Sequence, residues 1–205
     1  IFRTDNYDSY LKLMALGDIG DTSDEREIAR RLEAQLSDLT DLLARLNRPI
    51  PTLSFIEIGV GDGTQNNTRS LAERGAWGTW IGNELLAHHP LTVSFHFAQL
   101  ELDNLHTLSL PQAPIDLLSI DIDGNDYWIA EQLVPKLMPA VLVVEYNKDA
   151  EPGWIMPYAP GYKWSQGRPF GASLRSWIDL LNPWGYYLAM TTKAQVNAFF
   201  LRGDI

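Results

Sequence analysis

The 205-residue chain is 45% hydrophobic, enough for one sizeable core, and its 15 glycines and 12 prolines indicate neither a disordered nor a fibrous chain. A net charge of −10 argues against a nucleic-acid partner, which needs a basic footprint, and the lack of cysteine excludes disulfides and thiolate metal sites. No apolar run approaches the ~20 residues of a membrane span, so no membrane partner is expected, and a reducing, cytoplasmic setting is compatible with the composition.

The chain begins at Ile1 rather than methionine, which leaves an earlier segment and any targeting signal open. One domain is expected over 1–205, with an amino-terminal helical segment at 1–49 and a core at 50–205. Residues 1–22 carry no clear pattern. The segment "DTSDEREIARRLEAQLSDLTDLLARLN" then places Ile28, Leu32, Leu36, Leu39, Leu42, Leu43 and Leu46 at helical spacing, with Ser23, Asp24 and Glu25 as a helix start. An amphipathic helix covering a sheet edge or the seam of a homo-oligomer is expected there, rather than direct chemistry.

From Leu53 onward the short apolar runs "SFIEIGV", "GTWIGNE", "VSFHFAQ", "DLLSIDID" and "AVLVVEYN" alternate with "NTRSLAERG" and "DYWIAEQLVPKL", which read as helices. Near-continuous runs of this length suit strands covered on both faces of a parallel sheet. Residues 148–170, "KDAEPGWIMPYAPGYKWSQGRPF", break the pattern with four prolines, three glycines, two tryptophans and two tyrosines, the composition of a lid or binding loop. "GASLRSWIDLLNPWG" resumes a helix, and "YYLAMTT" with "NAFFLRGD" reads as a closing hairpin.

The stretch "FIEIGVGDG" carries the most information. Gly59, Gly61 and Gly63 let a strand turn tightly into a helix and let a ligand approach the main chain. No Gly-Lys-Ser/Thr follows, which excludes a P-loop, and the spacing is Gly-x-Gly-x-Gly rather than Gly-x-Gly-x-x-Gly. Glu57, inside the strand, would repel a pyrophosphate and attract an ammonium or sulfonium group. A cationic nucleoside, S-adenosylmethionine, is the ligand this pattern calls for. The plainer reading is a glycine-rich turn with an incidental acid.

"EIGVGDG" resembles the first motif of class I S-adenosylmethionine-dependent methyltransferases, and "DLLSIDIDGND" resembles the strand-four signature of their FkbM-like group. The tail, from "GASLRSWIDLL" to "VNAFFLRGD", is similar to the end of bacterial members, so the resemblance covers roughly residues 50–205. It implies an α/β, Rossmann-like sheet of about seven strands, mostly parallel with the last antiparallel, carrying an amino-terminal helical extension. It implies that Glu57, Gly59, Gly61 and Gly63 line the methionine end of the cofactor, with Asp62, Asn67 and Asp121 in the same binding set. Relatives commonly place a ribose-binding acid directly after "WI". Here Gly82 holds that place, and Glu84 stands in two residues on, with Asn83 as the alternative.

Asp121 and Asp123 end one expected strand, and Glu145 and Asn147 end its neighbour. Adjacent strand ends lie ~5 Å apart, so these oxygens can converge at the edge where open α/β sheets bind ligands. They make a hard set for Mg²⁺ or another divalent cation, an arrangement that resembles the catechol O-methyltransferase group, although Tyr146 separates the last two residues. The alternative is that Asp121 packs against the methyl end of the cofactor while Asp123 caps the turn with Asn125. Asp121 and Asp123 are the candidate catalytic residues, as general base or as holders of the acceptor hydroxyl.

Among the four histidines, His88, His89, His96 and His106, none has a companion acid at triad or metal spacing. Trp154, Tyr158, Tyr162 and Trp164 can clamp a flat or sugar-like acceptor, with Lys163 and Arg168 on an acidic group, or simply pin their own loop. Asn197 reads as a buried turn amide or a substrate contact. The expected function is methylation, at oxygen, of a small molecule of bacterial secondary metabolism or sugar modification. The rivals are a nicotinamide-dependent oxidoreductase on a related sheet and a cofactor-binding scaffold without turnover.

Overall fold

The computed structural model describes residues 39–64, 66–111 and 114–205. Seven strands form one sheet: β1 (Ser54–Ile58), β2 (Trp77–Gly82), β3 (Val93–Phe97), β4 (Leu117–Ile120), β5 (Val141–Glu145), β6 (Tyr186–Thr191) and β7 (Asn197–Arg202). Their order across the sheet is β3-β2-β1-β4-β5-β7-β6. The first five pair in parallel, while β7 runs antiparallel to both β5 and β6. The expected sheet, with its last strand reversed, is the one observed.

The helices are α1 (Arg69–Glu73), α2 (Asp126–Leu137) and α3 (Leu174–Leu181). On one face of the sheet Ile56, Ile58, Leu118, Ile120, Leu142 and Val144 pack with Ile129, Leu133 and Val134 of α2 and with Trp177 and Leu181 of α3. On the other face Phe55, Leu117, Val141, Val143, Phe199 and Leu201 pack with Leu71 and Ala72 of α1 and with Leu39, Leu42 and Leu43. Both faces of the central strands are therefore covered, which is why their sequences show apolar runs rather than alternation. Residues 39–44 are helical, and the three leucines there form the inner stripe that the periodicity predicts. The remainder of that expected helix, with Ile28, Leu32 and Leu36, lies outside the described residues.

Two local devices set the ends of the helices that matter for the site. Asp126, the first residue of α2, is fully buried, and its carboxylate accepts hydrogen bonds from Ile122 N (2.8 Å) and Gly124 N (2.7 Å). That closes the turn after β4 and fixes the main chain of the acidic segment. At α3, the Ser173 hydroxyl caps the helix by accepting from Ser176 N. The strand order reverses between β1 and β4, and the crevice opens at the carboxyl ends of these two strands, the usual ligand position of an open α/β sheet.

Candidate functional site

Gly59, Gly61 and Gly63 all have positive φ, at +92°, +51° and +82°, but their surroundings differ. A Cβ at Gly59 would lie 1.5 Å from the carbonyl oxygen of Asp121, and one at Gly63 would lie 2.6 Å from that of His88. A Cβ at Gly61 would meet nothing within 4 Å. Gly59 and Gly63 are thus required by close packing of protein on protein. Gly61 alone of the three leaves open space at the main chain.

Glu57 is 1% exposed and belongs to the floor of the crevice. Its carboxylate accepts hydrogen bonds from Asn66 Nδ2 (3.0 Å), Asn67 N (2.6 Å), Thr68 N (2.9 Å) and the Thr68 hydroxyl. Trp80 Nε1 in turn donates to that hydroxyl at 2.8 Å, so a buried chain runs from β2 through Thr68 to β1. Burial pushes the Glu57 carboxyl up, and the bonds from Thr68, Asn67 and Asn66 pull it back. The sequence suggests a carboxylate turned toward a cation; the structure has both of its oxygens engaged by the 66–68 loop. Asp62 likewise secures the loop, accepting from the Thr64 amide (2.9 Å) and hydroxyl (2.6 Å), and these bonds hold its carboxyl below the usual range.

Two cavities open along this edge. The first, about 510 Å³, is lined by Gly59 and Gly61, by Gly82, Asn83 and Glu84, by Gln99–Glu101, by Asp121–Asp123 and Asn125, and by Tyr162–Trp164. The second, about 330 Å³, is bounded by Glu57, Asp62, Thr64, Asn66 and Asn67. Gly59, Gly61, Glu84 and Asp121 border both. All the expected cofactor residues except Gly63 therefore meet at one crevice. Six of its lining side chains are acids (Glu57, Asp62, Glu84, Glu101, Asp121 and Asp123), against the single base Lys163.

Asp121, Asp123 and Glu145 each offer an oxygen, and these oxygens lie within 4.8 Å of one another. Among the described residues no donor reaches any of the three carboxylates, and Glu145 Oε2 is buried without a partner. Burial, then repulsion from Asp126, Asp123 and Glu57, pushes Asp121 up to about 8. Burial and the charges of Asp121, Asp126 and Asp123 push Glu145 up to about 9. Asp123 adopts φ +58°, an uncommon backbone for an aspartate, and burial raises its carboxyl as well. Asn147, expected as a fourth ligand, is taken up elsewhere: its Oδ1 accepts from Asp149 N (3.1 Å) and its Nδ2 donates to Phe170 O (3.3 Å). The amide opposite Glu145 in the sheet is Asn197, 4% exposed, whose Oδ1 has no partner. The turn after β4 is capped by Asp126, not by Asp123.

The 148–170 loop folds back over the first cavity. Tyr158 donates to Glu101 Oε2 (2.7 Å) and Gly161 N to Glu101 Oε1 (2.8 Å), while Asn125 exchanges two hydrogen bonds with Ala159 (2.9 and 3.1 Å). Glu101 and Asn125 are the site-region residues that sequence reasoning missed or underrated. Their partners are more than thirty residues away, and no local pattern marks such pairings. His88 and His89 border neither cavity; His89 Nε2 bonds Val93 O at 2.7 Å, which ties down their own loop.

No family model and no curated protein matches this sequence. Solved structures do match. The magnesium protoporphyrin IX methyltransferase of Synechocystis PCC 6803 with bound SAH is 16% identical, with 98% of this chain and 96% of that one covered and a TM-score of 0.55. The same enzyme with bound SAM gives 14% identity, coverage of 98% and 93%, and a TM-score of 0.55. An O-methyltransferase from Bacillus cereus in complex with SAH gives 15% identity, coverage of 98% and 91%, and a TM-score of 0.50. With the strand order and the reversed last strand, these likenesses establish the architecture: the chain has the Rossmann-like fold of the class I S-adenosylmethionine-dependent methyltransferases.

Proposed function

We propose that the protein transfers a methyl group from S-adenosylmethionine to a hydroxyl of a small molecule, as a member of the FkbM-like group. The observation that supports this reading is the charge of the crevice. Six acids and one base line a pocket whose open glycine, Gly61, admits a ligand to the main chain. A dinucleotide diphosphate would be repelled there, and a sulfonium nucleoside attracted. The first cavity has the size of an ordinary cofactor site.

In this reading the aminoacyl end of the donor sits in the second cavity, against the loop that Glu57 and Asp62 hold in shape, with Asn67 beside it. Glu84, just past the end of β2, accepts hydrogen bonds from the ribose diol. Asp121 borders both cavities and faces the reacting end. The acceptor oxygen attacks the methyl carbon in line, the C–S bond breaks as the C–O bond forms, and the hydroxyl proton passes to the Asp121 or Asp123 carboxylate. A carboxyl raised to about 8 is close to the working pH of a general base.

The donor set of Asp121, Asp123 and Glu145, with an unpartnered buried oxygen on Glu145, also fits a hard divalent cation such as Mg²⁺. When bound, such an ion lowers the pKa of an acceptor hydroxyl and anchors it.

Calorimetry with S-adenosylmethionine, S-adenosylhomocysteine and NAD tests the reading, each run with chelator and with Mg²⁺. Binding of the two sulfur ligands and not of NAD is expected. Binding of NAD alone would replace methyl transfer by hydride transfer. Sizing the chain in solution tests whether it assembles as a homo-oligomer.

A further inference from the structure

We infer that the loop between β5 and α3 walls the nucleoside half of the cofactor site, with Trp164 stacking on the adenine base and Glu101 holding the loop in place. The inference rests on the methyl-donor reading and adds to it a residue that sets base recognition.

Where the loop is attached carries the inference. Tyr162, Lys163 and Trp164 line the first cavity, and no residue of the loop lines the second. The loop is held at two places, by Glu101 just beyond β3 and by Asn125 and Gly124 in the turn after β4. A ribose at Glu84 leaves the base among the other residues that line this cavity, Leu100 and Trp164 included. Trp164 is 47% exposed beside this cavity, so a flat heterocycle laid on its indole removes apolar surface from water.

The turn that presents Trp164 is tied across its ends. The Tyr162 ring seats on Gly124, where a Cβ would come within 2.4 Å of it, and the Tyr162 hydroxyl donates to Pro169 O at 2.5 Å. The Arg168 guanidinium lies 4.7 Å from the centre of the same ring, and its Nη1 donates to Lys163 O at 3.0 Å. Arg168 is thereby engaged within the loop rather than directed at an acceptor.

The test is titration with S-adenosylhomocysteine and with adenosine, by calorimetry and by tryptophan fluorescence. Trp164→Ala should weaken both ligands about tenfold, and Trp164→Phe should restore most of the loss, as expected for base stacking. Quenching of fluorescence by S-adenosylhomocysteine should diminish in Trp164→Phe although the ligand still binds. Glu101→Ala should weaken binding less and speed amide exchange at Gly161, a change that Trp164→Ala should not produce. Wild-type affinity retained within twofold in Trp164→Ala would overturn the stacking role. Unchanged exchange at Gly161 in Glu101→Ala would overturn the clasp. Failure of the wild-type protein to bind S-adenosylhomocysteine would instead strike at the methyl-donor reading itself.

Discussion

Glu57 and the Asp121–Glu145 group are carboxylates at the ends of neighbouring strands of one sheet, yet they are built in opposite ways. Glu57 is fully buried and accepts four hydrogen bonds. Asp121, Asp123 and Glu145 crowd within 4.8 Å and accept none from the described residues. The first arrangement is an acid that organises the backbone of the neighbouring loop. The second stores repulsion that a proton, a cation or a charged ligand relieves. Acids at the same edge therefore divide into one whose oxygens are spent on the 66–68 loop and three whose oxygens take no donor from the described residues.

The comparison can be broken most forcefully at Gly59, where the two strand ends meet. Gly59→Ala should yield no folded protein by circular dichroism, because its methyl would overlap the Asp121 carbonyl. Gly61→Ala should fold, at a cost of about 1–2 kcal/mol for its positive φ, while losing affinity for S-adenosylhomocysteine. Glu57→Leu leaves the donors of the 66–68 loop unpaired and should cost about 3–5 kcal/mol in urea unfolding.

The acidic group gives effects of opposite sign. Asp121 and Glu145 have folded pKa values raised to about 8 and about 9, so over the range from about 4 to 9 the folded state binds more protons than the unfolded. Their contribution is complete below the unfolded values near 4 and is lost as pH rises through 8 and 9, with a slope of at most about 1.4 kcal/mol per pH unit for each group. Asp121→Asn should flatten this fall and stabilise the protein at pH 9, measured as urea midpoints across pH. Saturating Mg²⁺ or Mn²⁺ at pH 8 should raise the melting midpoint by roughly 5 °C and lose that effect in Glu145→Gln. No shift with either ion would leave the three acids to protons and ligands alone.

The sheet was legible because its strands are buried on both faces, and β-branched runs such as "VLVV" have few other uses. The crevice was legible from the glycines, since positive φ at three alternate positions announces itself in composition. What each side chain does there was not. Glu57 bonds donors nine to eleven residues away, Asn147 is drawn into a turn by Asp149, and Asn197 takes the position opposite Glu145 through an antiparallel register. Glu101 meets its partner across 57 positions. These pairings are set by tertiary packing, which residue spacing does not encode.

The sheet has one further consequence, for synthesis of the chain. β7 lies between β5 and β6, so the last strand of this sheet in chain order fills an interior slot. Until residues 197–202 have cleared the ribosome, β5 presents an unpaired edge of Val-Leu-Val-Val to its surroundings. A nascent protein of this design is expected to depend on chaperone protection until β7 has been made, and a product stalled or truncated before that strand should be sticky rather than partly active.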